Sequence, residues 1–454
     1  MTTGLFDPVF GRSGVDVGDG AWLRAMLDVE AALARALERA GLAPAGSGEV
    51  VTETARTATF DPAELGAGLT GNPVPGLARA LAARVPASAR EAVHRGATSQ
   101  DVLDTAAMLL AGRASEVIGN DLRTAADAAA GLADGHRATV MVGRTLLQQA
   151  VPVTFGLVAA GWLTGLDDAR AGLASVRRTR LAVQFGGAAG TLAALGSEGP
   201  RVALLLAEEL GLAVPPLPWH TDRLRIIDVA AAMARVTAVL GKVARDVTLL
   251  AQSEVGEVRE GPAGESGGSV RRGGSSAMPH KSNPVAAIAV LGCSKQVPGL
   301  VATLISAAEQ EYQRAAGAWH AEWEPFGALL RLTGSAAAWG AVLLGGLVVN
   351  GQRMASNLAA AKGLPLAEHV TGLLAGVLGP AQAHDLVAWA SERAVSAGLP
   401  LRDVLLGVPE LADRLDAAGV TAGQVEAALE PAGYLGAASV FIDTALAAHG
   451  GIGG

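Results

Sequence analysis

The stretch "GGSSAMPHKSNPV", residues 273 to 285, interrupts a chain that is otherwise crowded with Ala and Leu. Glycines, serines and a Met-Pro pair precede His280, Lys281 and Asn283. A solvated linker has no need for a hydroxyl, a cation and an amide so close together at its end. A phosphate-binding P-loop is excluded, because no Gly-Lys-Ser/Thr follows the glycines at the required spacing. We therefore interpret the stretch as part of a functional site.

The composition indicates a large protein with extensive burial. Of the 454 residues, 50% are hydrophobic and only 17% are charged, which excludes intrinsic disorder. A chain of this length is expected to form two or three domains. The net charge of -8, with no basic cluster, makes nucleic acid a poor partner on electrostatic grounds.

Cysteine usage and the amino terminus indicate the cytoplasm. Cys293 is the only cysteine, so an intrachain disulfide and a cysteine-based metal site are excluded. The first residues, "MTTGLFDPVFGRSG", lack the basic region and apolar core of a signal peptide. The sequence offers no convincing set of metal ligands elsewhere, and we expect no metal and no cofactor.

Two uncharged runs, residues 145–166 and 332–352, are long enough to span a bilayer. Both are rich in Ala and Gly, which contribute little transfer free energy, and neither has an aromatic belt or basic flanks. We therefore expect no membrane partner. The stronger alternative is a helix that is apolar on every side because other helices surround it, as in an oligomer.

Helix signals dominate the chain and predict an all-α fold. Residues 21–41, "AWLRAMLDVEAALARALERAG", place apolar side chains at helical spacings and end at Gly41, a typical residue after a helix. No run of alternating β-branched residues is long enough for a sheet. Long helices are predicted by three proline-free stretches rich in Ala and Leu, residues 87–151, 219–261 and 326–364.

Breakers divide the sequence into three predicted domains. Pro and Gly interrupt short helices in residues 1–97, long helices fill residues 98–352, and shorter helices fill residues 353–454. Helices of thirty or more residues in the middle third would form a bundle roughly 45 Å long or more. The glycine-rich tract 256–274 breaks the long helices, and its part "GPAGESGGSVRRGGSS", residues 261–276, is unable to pack a core, so we expect it to be mobile.

Three further short polar segments interrupt the predicted helices, and we call them the first, second and third polar islands in chain order. In "HRGATSQDVLDTA", residues 94–106, Thr98 or Ser99 is able to cap a helix, and capping explains the cluster as well as binding does. In "GRTLLQQAVPVTFG", residues 143–156, polar side chains within a predicted helix need partners from a neighbouring helix or from a ligand. In "PWHTDRLR", residues 218–225, a His and an Arg before another long helix offer a place for an anion, although a lone His is more often structural.

Residues 273–285 resemble the fumarase/aspartase superfamily, whose signature Gly-Ser-Ser-x-Met-Pro-x-Lys-x-Asn-Pro is met in full from Gly274 to Pro284. The first two islands fall in the superfamily's order, so the resemblance covers essentially the whole chain. Within the superfamily the chain is most similar to the bacterial 3-carboxy-cis,cis-muconate cycloisomerases, through "LFDPVFG", "LPWHTDR", "RAAGAWHAEWEP" and "YLGAASVFIDTAL". The adenylosuccinate lyases share the first island and the signature.

The resemblance implies a three-domain, all-α fumarase/aspartase-like fold with a long central helical bundle. It also implies a homotetramer in which each active site collects its three regions from three subunits. The implied substrate is a small polycarboxylate, and the implied reaction closes 3-carboxy-cis,cis-muconate to 4-carboxymuconolactone through an aci-carboxylate intermediate. The alternative is an adenylosuccinate lyase-like or other β-elimination lyase of a dicarboxylate; a catalytically dead homologue is disfavoured by the intact signature.

The resemblance also assigns roles to residues. Ser275 is implied as the proton-transfer group, and Lys281 and Asn283 as the groups that hold the reacting carboxylate. A serine hydroxyl becomes competent for this only beside cations and N–H groups and away from solvent, which a loop closing over the substrate would provide. The implied substrate-binding residues are His94, Thr98, Ser99, Thr145, Gln148, His220, Arg223, Ser276 and Met278.

Two departures from the family patterns bear on the substrate. Many lyases of the superfamily carry a His where this chain has Leu146, and an aliphatic side chain is unable to transfer a proton. Leu146 therefore argues against the lyases. Asp222 and Leu224 stand where the cycloisomerases tend to have Gln and Asp, and a carboxylate at position 222 would repel a tricarboxylate.

Overall fold

The computed structural model describes residues 4–61, 65–261, 273–274, 277–278 and 280–452. These residues are mostly helical with little sheet, which confirms the predicted all-α class. In chain order the helices are α1 (Asp7–Phe10), α2 (Asp19–Arg39), α3 (Ser47–Thr57), α4 (Ala67–Thr70), α5 (Val74–Arg84), α6 (Ser99–Gly135), α7 (Phe155–Thr179), α8 (Gly199–Leu210), α9 (Leu224–Leu250), α10 (Val285–Ser306), α11 (Ala318–Ala321), α12 (Trp323–Gly345), α13 (Gly351–Ala360), α14 (Ala367–Leu378), α15 (Pro380–Ala397), α16 (Leu401–Gly407), α17 (Pro409–Ala417), α18 (Ala422–Ala428) and α19 (Ala438–Ile452). The strands are β1 (Val140–Thr145), β2 (Gln148–Thr154), β3 (Val258–Glu260) and β4 (Leu347–Val349).

The chain forms two compact units, each assembled from three segments. Unit 1 comprises residues 1–123, 168–242 and 288–341, and unit 2 comprises residues 124–167, 243–287 and 342–454. Every boundary lies inside a long helix: α6, α7, α9, α10 or α12. The division of the sequence at residues 97 and 352 stays a prediction.

Helix α2 shows how the local sequence builds the core of unit 1. Its apolar stripe includes Leu33 and Leu37, which are buried in a cluster with Phe185 and Leu206. The helix ends where expected, because Gly41 adopts a φ of +75° that L-residues avoid. There the N–H groups of Gly41 and Leu42 donate to carbonyls of the last turn, as in a Schellman motif.

Helix α6 begins at Ser99, directly after Thr98, as the first polar island predicts. With 37 residues it is about 55 Å long. The other long helices of the middle third have 22 to 27 residues, so the expected length of thirty or more holds, within the described chain, only for α6.

The helix predicted over residues 143–156 is wrong. Strands β1 and β2 form an antiparallel hairpin in which Val140 pairs with Thr154 and Thr145 pairs with Gln148. Leu146 and Leu147 form its two-residue turn with φ values of 50° and 64°. The alternating valines of β1 and β2 favour strands, and the run Leu-Leu-Gln-Gln at residues 146–149, which is typical of a helix, hid this signal.

The two uncharged runs are not continuous helices. Residues 145–166 begin in the hairpin, and residues 332–352 leave α12 at Gly345 and enter β4, which pairs with β3. By length and composition alone, the described helices able to cross a membrane are Val285–Ser306 and Ala318–Gly345. In Ala318–Gly345 67% of the most apolar window is buried, as in a core helix, but in Val285–Ser306 only 33% is buried.

The carboxyl-terminal helices of unit 2 enclose a core of their own. Short amphipathic helices from α14 to α18 contribute its apolar side chains, and the capping box of Thr421 and Gln424 starts the last of them. The fully buried members include Val370, Leu374, Ala383, Ala390, Leu401, Leu405 and Val425.

We predict that replacing Leu146 and Leu147 together by Asn and Gly raises the free energy of unfolding of the protein. Positive φ costs a leucine about 1 kcal/mol, whereas Asn-Gly is the preferred pair for a two-residue turn with φ above zero. Denaturant unfolding should therefore show a free energy of unfolding higher by about 1 kcal/mol or more. A loss of stability would instead show that the two leucines are covered by other parts of the assembled protein.

Candidate active site

The first polar island is organised around Asp101, a carboxylate that is 1% exposed. Its Oδ1 accepts from the Gly186 N–H at 3.0 Å and lies 2.7 Å from His220 Nε2. Its Oδ2 accepts from the N–H groups of Gly187 at 2.9 Å and Thr98 at 3.0 Å. Four donors satisfy this buried charge, and together they fix the start of α6 against residues 186–187 and 220.

One turn further along α6, Asp104 belongs to a second buried network. The guanidinium of Arg223 donates from Nη1 and Nη2 to Asp104 and from Nε and Nη2 to Glu322. Trp319 Nε1 donates to Asp104 Oδ1 at 3.0 Å. Burial alone would lower the pKa of Arg223, but the charges of Asp104 and Glu322 more than compensate and raise it.

Arg223 is therefore placed in the core of unit 1. Its side chain is 1% exposed, and its N–H donors are used by the two carboxylates. His220 is similarly buried, with 4% exposure, against Asp101. His220 and Arg223 are bonded to α6 through Asp101 and Asp104, and this geometry favours a supporting role over direct contact with a substrate.

His94 lies just before α6 and has an unusual backbone, with a φ of +56°. The buried carboxylate of Glu30 accepts from the His94 N–H at 2.9 Å and lies 2.7 Å from its Nδ1. Burial lowers the pKa of His94, but the hydrogen bond and charge of Glu30, with the charge of Asp101, outweigh burial and raise the pKa above its ordinary value. A cationic imidazole beside a helix amino terminus forms an environment suited to an anion.

The departures at positions 222 and 224 have a local explanation. Asp222 Oδ1 accepts from the Leu224 N–H at 3.1 Å, so the carboxylate caps the start of α9. Asp222 and Leu224 are both exposed. This hydrogen bond to the backbone occupies one oxygen of the Asp222 carboxylate.

In unit 2 the second polar island forms the tip of the hairpin. Thr145 and Gln148 are exposed there, so the expectation that they need partners inside a helix is wrong. Leu146 and Leu147 between them are 96% and 73% exposed. The tip presents two polar side chains and two apolar ones outside the core of unit 2.

A buried carboxylate also holds the hairpin. Glu257, fully buried, accepts from Arg144 Nη1 at 2.9 Å and Nη2 at 2.7 Å, a bidentate pair. The amide of Asn357 donates to the same carboxylate at 2.8 Å. Arg144 immediately precedes Thr145, so this pair orients the exposed tip.

Ser275 and Ser276 lie outside the described residues. Around them, the amide of Asn283 donates from Nδ2 to the Gly273 carbonyl at 3.0 Å, and its backbone N–H donates to the same oxygen at 2.9 Å. A Cβ at Gly273 would lie 2.1 Å from the Asn283 oxygen, so only glycine fits there. Lys281 and Met278 are exposed, Met278 by 42%.

The carboxyl end of this segment is anchored by Glu260. Its carboxylate accepts from the N–H groups of Ala286 at 3.1 Å and Ala287 at 3.0 Å, in the first turn of α10. This bond satisfies donors that a helix amino terminus leaves unpaired. It also ties the end of β3 to the start of α10, on either side of the signature.

Across the residues that the structure describes, no group of three His, Cys, Asp or Glu side chains is placed to hold a metal ion. Burial raises the pKa of the Cys293 thiol to about 11, so this residue stays protonated at neutral pH. The expectation that catalysis needs neither a metal nor a cofactor stays a prediction.

A protein-family model described as Lyase matches residues 23–299. A 3-carboxy-cis,cis-muconate cycloisomerase from Bradyrhizobium diazoefficiens is 46% identical over 94% of each chain. The chain belongs to the fumarase/aspartase superfamily. A nitrosuccinate lyase from Streptomyces davaonensis is 44% identical over 98% of this chain and 95% of that protein. The crystal structure of the 3-carboxy-cis,cis-muconate lactonizing enzyme from Pseudomonas putida matches with a TM-score of 0.88 and 38% identity, covering 99% of this chain and 100% of that one.

Membership of the superfamily makes the chain an enzyme, as the signature predicts. Sequence reasoning identified the three superfamily regions but missed the carboxylates that support them, Glu30, Glu257 and Glu322. Glu30 had a readable signal, because it interrupts the apolar stripe of α2 between Met26 and Leu33. Glu257 and Glu322 had none, since their partners are distant in sequence.

We predict that Arg223→Ala strongly destabilises the protein. The substitution leaves Asp104 and Glu322 buried without their counter-charge, which costs about 3 kcal/mol or more. Thermal and denaturant unfolding should detect this loss. Arg39→Ala, which removes exposed ion pairs to Glu208 and Glu209, is the control and should leave stability nearly unchanged. Equal effects of the two substitutions would contradict a buried network at Arg223.

Proposed function

We propose that the chain is a cycloisomerase that closes 3-carboxy-cis,cis-muconate to 4-carboxymuconolactone in the protocatechuate branch of aromatic degradation, in the cytoplasm. The observation that carries this proposal is the complete signature in a chain 46% identical to a 3-carboxy-cis,cis-muconate cycloisomerase. A second cycloisomerase, from Pseudomonas aeruginosa, supports it at 42% identity over 99% of this chain.

In the proposed reaction a carboxylate of the substrate is the nucleophile. It closes onto a double bond and forms the C–O bond of a γ-lactone, while a proton is delivered to the carbon α to another carboxylate. The barrier lies in the extra negative charge that the second carboxylate carries in the aci-carboxylate intermediate. Preorganised donors and cations aimed at that group supply most of the rate enhancement.

The proposed roles of the signature residues follow from this barrier. Lys281 supplies a full positive charge and Asn283 an amide N–H to the reacting carboxylate, and Ser275 transfers the proton. Asn283 Nδ2 has two hydrogens, and its bond to the Gly273 carbonyl uses one of them. Among the described residues no partner of the other hydrogen is found, and we assign it to a substrate carboxylate.

The proposed binding groups for the remaining carboxylates lie at the start of α6. Thr98 and Ser99 provide hydroxyls at the positive end of a long helix dipole. The raised pKa of His94 favours a positive charge on its ring. The proposed set of binding groups also includes Thr145 and Gln148 at the hairpin tip, with Ser276 and Met278. His220 and Arg223 hold the start of α6 in place through Asp101 and Asp104.

A β-elimination lyase of a dicarboxylate is the second candidate. The 44% identity to a nitrosuccinate lyase favours it, because that identity lies between the 46% and 42% identities to the two cycloisomerases. Leu146 favours the cycloisomerase, since an aliphatic side chain is unable to transfer a proton to a leaving group. Both reactions place extra charge on a carboxylate, so they would use the signature in the same way.

We predict that the wild-type protein consumes 3-carboxy-cis,cis-muconate without an added cofactor. Loss of the ultraviolet absorbance of the conjugated diene follows ring closure directly. Ser275→Ala should lower kcat by about 100-fold or more, because it removes the proposed proton-transfer group. Ser396→Ala, at an exposed serine of α15, is the matched control and should keep the wild-type rate.

Parallel assays separate the candidates. Release of nitrite from nitrosuccinate, or cleavage of adenylosuccinate, by a protein that leaves the muconate unchanged would overturn the cycloisomerase proposal in favour of a lyase. A protein inactive on all three substrates would overturn both.

We also propose a homotetramer in which each active site draws its three regions from three copies of the chain. Support comes from α10, whose most apolar window is only 33% buried and whose side chains Ile288 and Ile305 are 52% and 53% exposed. Apolar exposure on this scale is typical of a surface that another chain covers.

Light scattering should therefore give four times the chain mass. Replacing Ile288 and Ile305 together by Glu should reduce that mass, because charges are costly in a covered apolar face. Val395→Glu, at an exposed valine on α15, should not reduce it. A monomeric wild-type protein at micromolar concentration would contradict the proposal.

A further inference from the structure

Glu30 is a carboxylate in an apolar environment. It is fully buried on α2, and its neighbours Val29, Ala31 and Leu33 are 5% exposed or less. A charge in such a place costs several kcal/mol unless it is paired and hydrogen-bonded. Both of its oxygens are directed at one residue, His94.

The contact holds His94 at two points. One oxygen of Glu30 accepts from the backbone N–H, and the other lies 2.7 Å from Nδ1 of the ring. The backbone at this position is left-handed, a conformation that L-residues rarely adopt and that surrounding bonds must maintain. A fixed backbone together with a fixed ring nitrogen leaves the imidazole little freedom to rotate.

The second ring nitrogen is directed elsewhere. The His94 side chain is 24% exposed, and among the described residues no hydrogen bond to its Nε2 is found. Four residues further on, Thr98 precedes the amino terminus of α6. The exposed part of the ring thus belongs to the same short segment as the proposed carboxylate-binding hydroxyls.

The charged groups that act on His94 are carboxylates from two helices, Glu30 of α2 and Asp101 of α6. Asp101 already accepts four hydrogen bonds, so Glu30 is the group that bonds the ring. Arg95, the adjacent cation, is directed to the Leu42 carbonyl. The local field therefore favours a positively charged imidazole.

We propose that Glu30 is a positioning residue: it keeps His94 protonated and in one orientation, so that Nε2–H donates to a carboxylate of the substrate. The inference rests on the proposed function, because it takes His94 to bind the substrate. A purely structural ion pair would stabilise the protein without affecting how KM depends on pH.

The test is Glu30→Gln in the full-length protein. The amide keeps the size of the side chain but loses the charge, and its nitrogen donates to Nδ1, which favours a neutral ring. We expect KM at neutral pH to rise about tenfold or more, with a smaller change in kcat. Glu53→Gln, at an exposed carboxylate on α3, is the matched control and should change neither constant.

The pH profile gives a second readout. In the wild type, the charge on His94 is present at low pH and lost as the pH rises through its raised pKa, so KM should stay low to a pH above 6.5 and then increase. In Glu30→Gln the increase should begin at a lower pH. Glu30→Asp retains the charge and should restore the wild-type midpoint even if KM stays higher.

A double substitution distinguishes positioning from other effects. In a His94→Gln background, Glu30→Gln should have no further effect on KM, because the two residues act through one imidazole. Unchanged KM and an unchanged pH profile in Glu30→Gln, with loss of stability alone, would overturn the inference. An equal increase in KM from Glu30→Gln with and without His94 would overturn it as well.

Should Glu30→Gln fail to fold, the wild type itself provides the test. NMR of histidine-labelled protein, with His94→Gln for assignment, should show His94 titrating above 6.5 and shifting further when propane-1,2,3-tricarboxylate is added. No response to the tricarboxylate would overturn the inference. Inactivity of the wild type on muconate would refute the proposed substrate instead, and the same measurements would then use the dicarboxylate that the enzyme does consume.

Discussion

Two buried carboxylates one turn apart on α6 constrain most of unit 1. Asp101 and Asp104 pay a large desolvation cost unless every oxygen is bonded, and their donors come from residues 186–187, 219–223 and 319. All of these segments have to be packed against α6 before the oxygens of the two carboxylates have their hydrogen-bond donors. The start of α6, with its two hydroxyl residues, is consequently rigid.

The same arrangement recurs in unit 2. Glu257 holds the hairpin through Arg144, and Glu260 holds the first turn of α10. Through Arg144, the buried carboxylate of Glu257 orients the exposed polar side chains of the hairpin tip. Groups held in this way bind a ligand with little loss of conformational entropy, which is what preorganised catalysis requires.

The charge distribution sets a condition on the proposed binding of a polycarboxylate. The net charge of -8 repels anions over the surface as a whole. Attraction therefore has to be local, and the positive end of α6, His94 and Lys281 are suited to supply it. Neither the cycloisomerase nor the lyase chemistry changes this requirement.

The sequence by itself determined the all-α class, the end of α2 at Gly41, the start of α6 at Ser99 and the superfamily. These follow from spacing, capping and a contiguous signature, all of which involve residues a few positions apart. Only the tertiary structure decided that residues 140–154 form a hairpin, that Arg223 is buried between Asp104 and Glu322, and that Glu30 holds His94. For the ion pairs the physical reason is that they join residues far apart in the chain, 64 positions for Glu30 and His94, and no local pattern records such a partner. The hairpin is local and its alternating valines favour strands, but only the paired register shows that they form one.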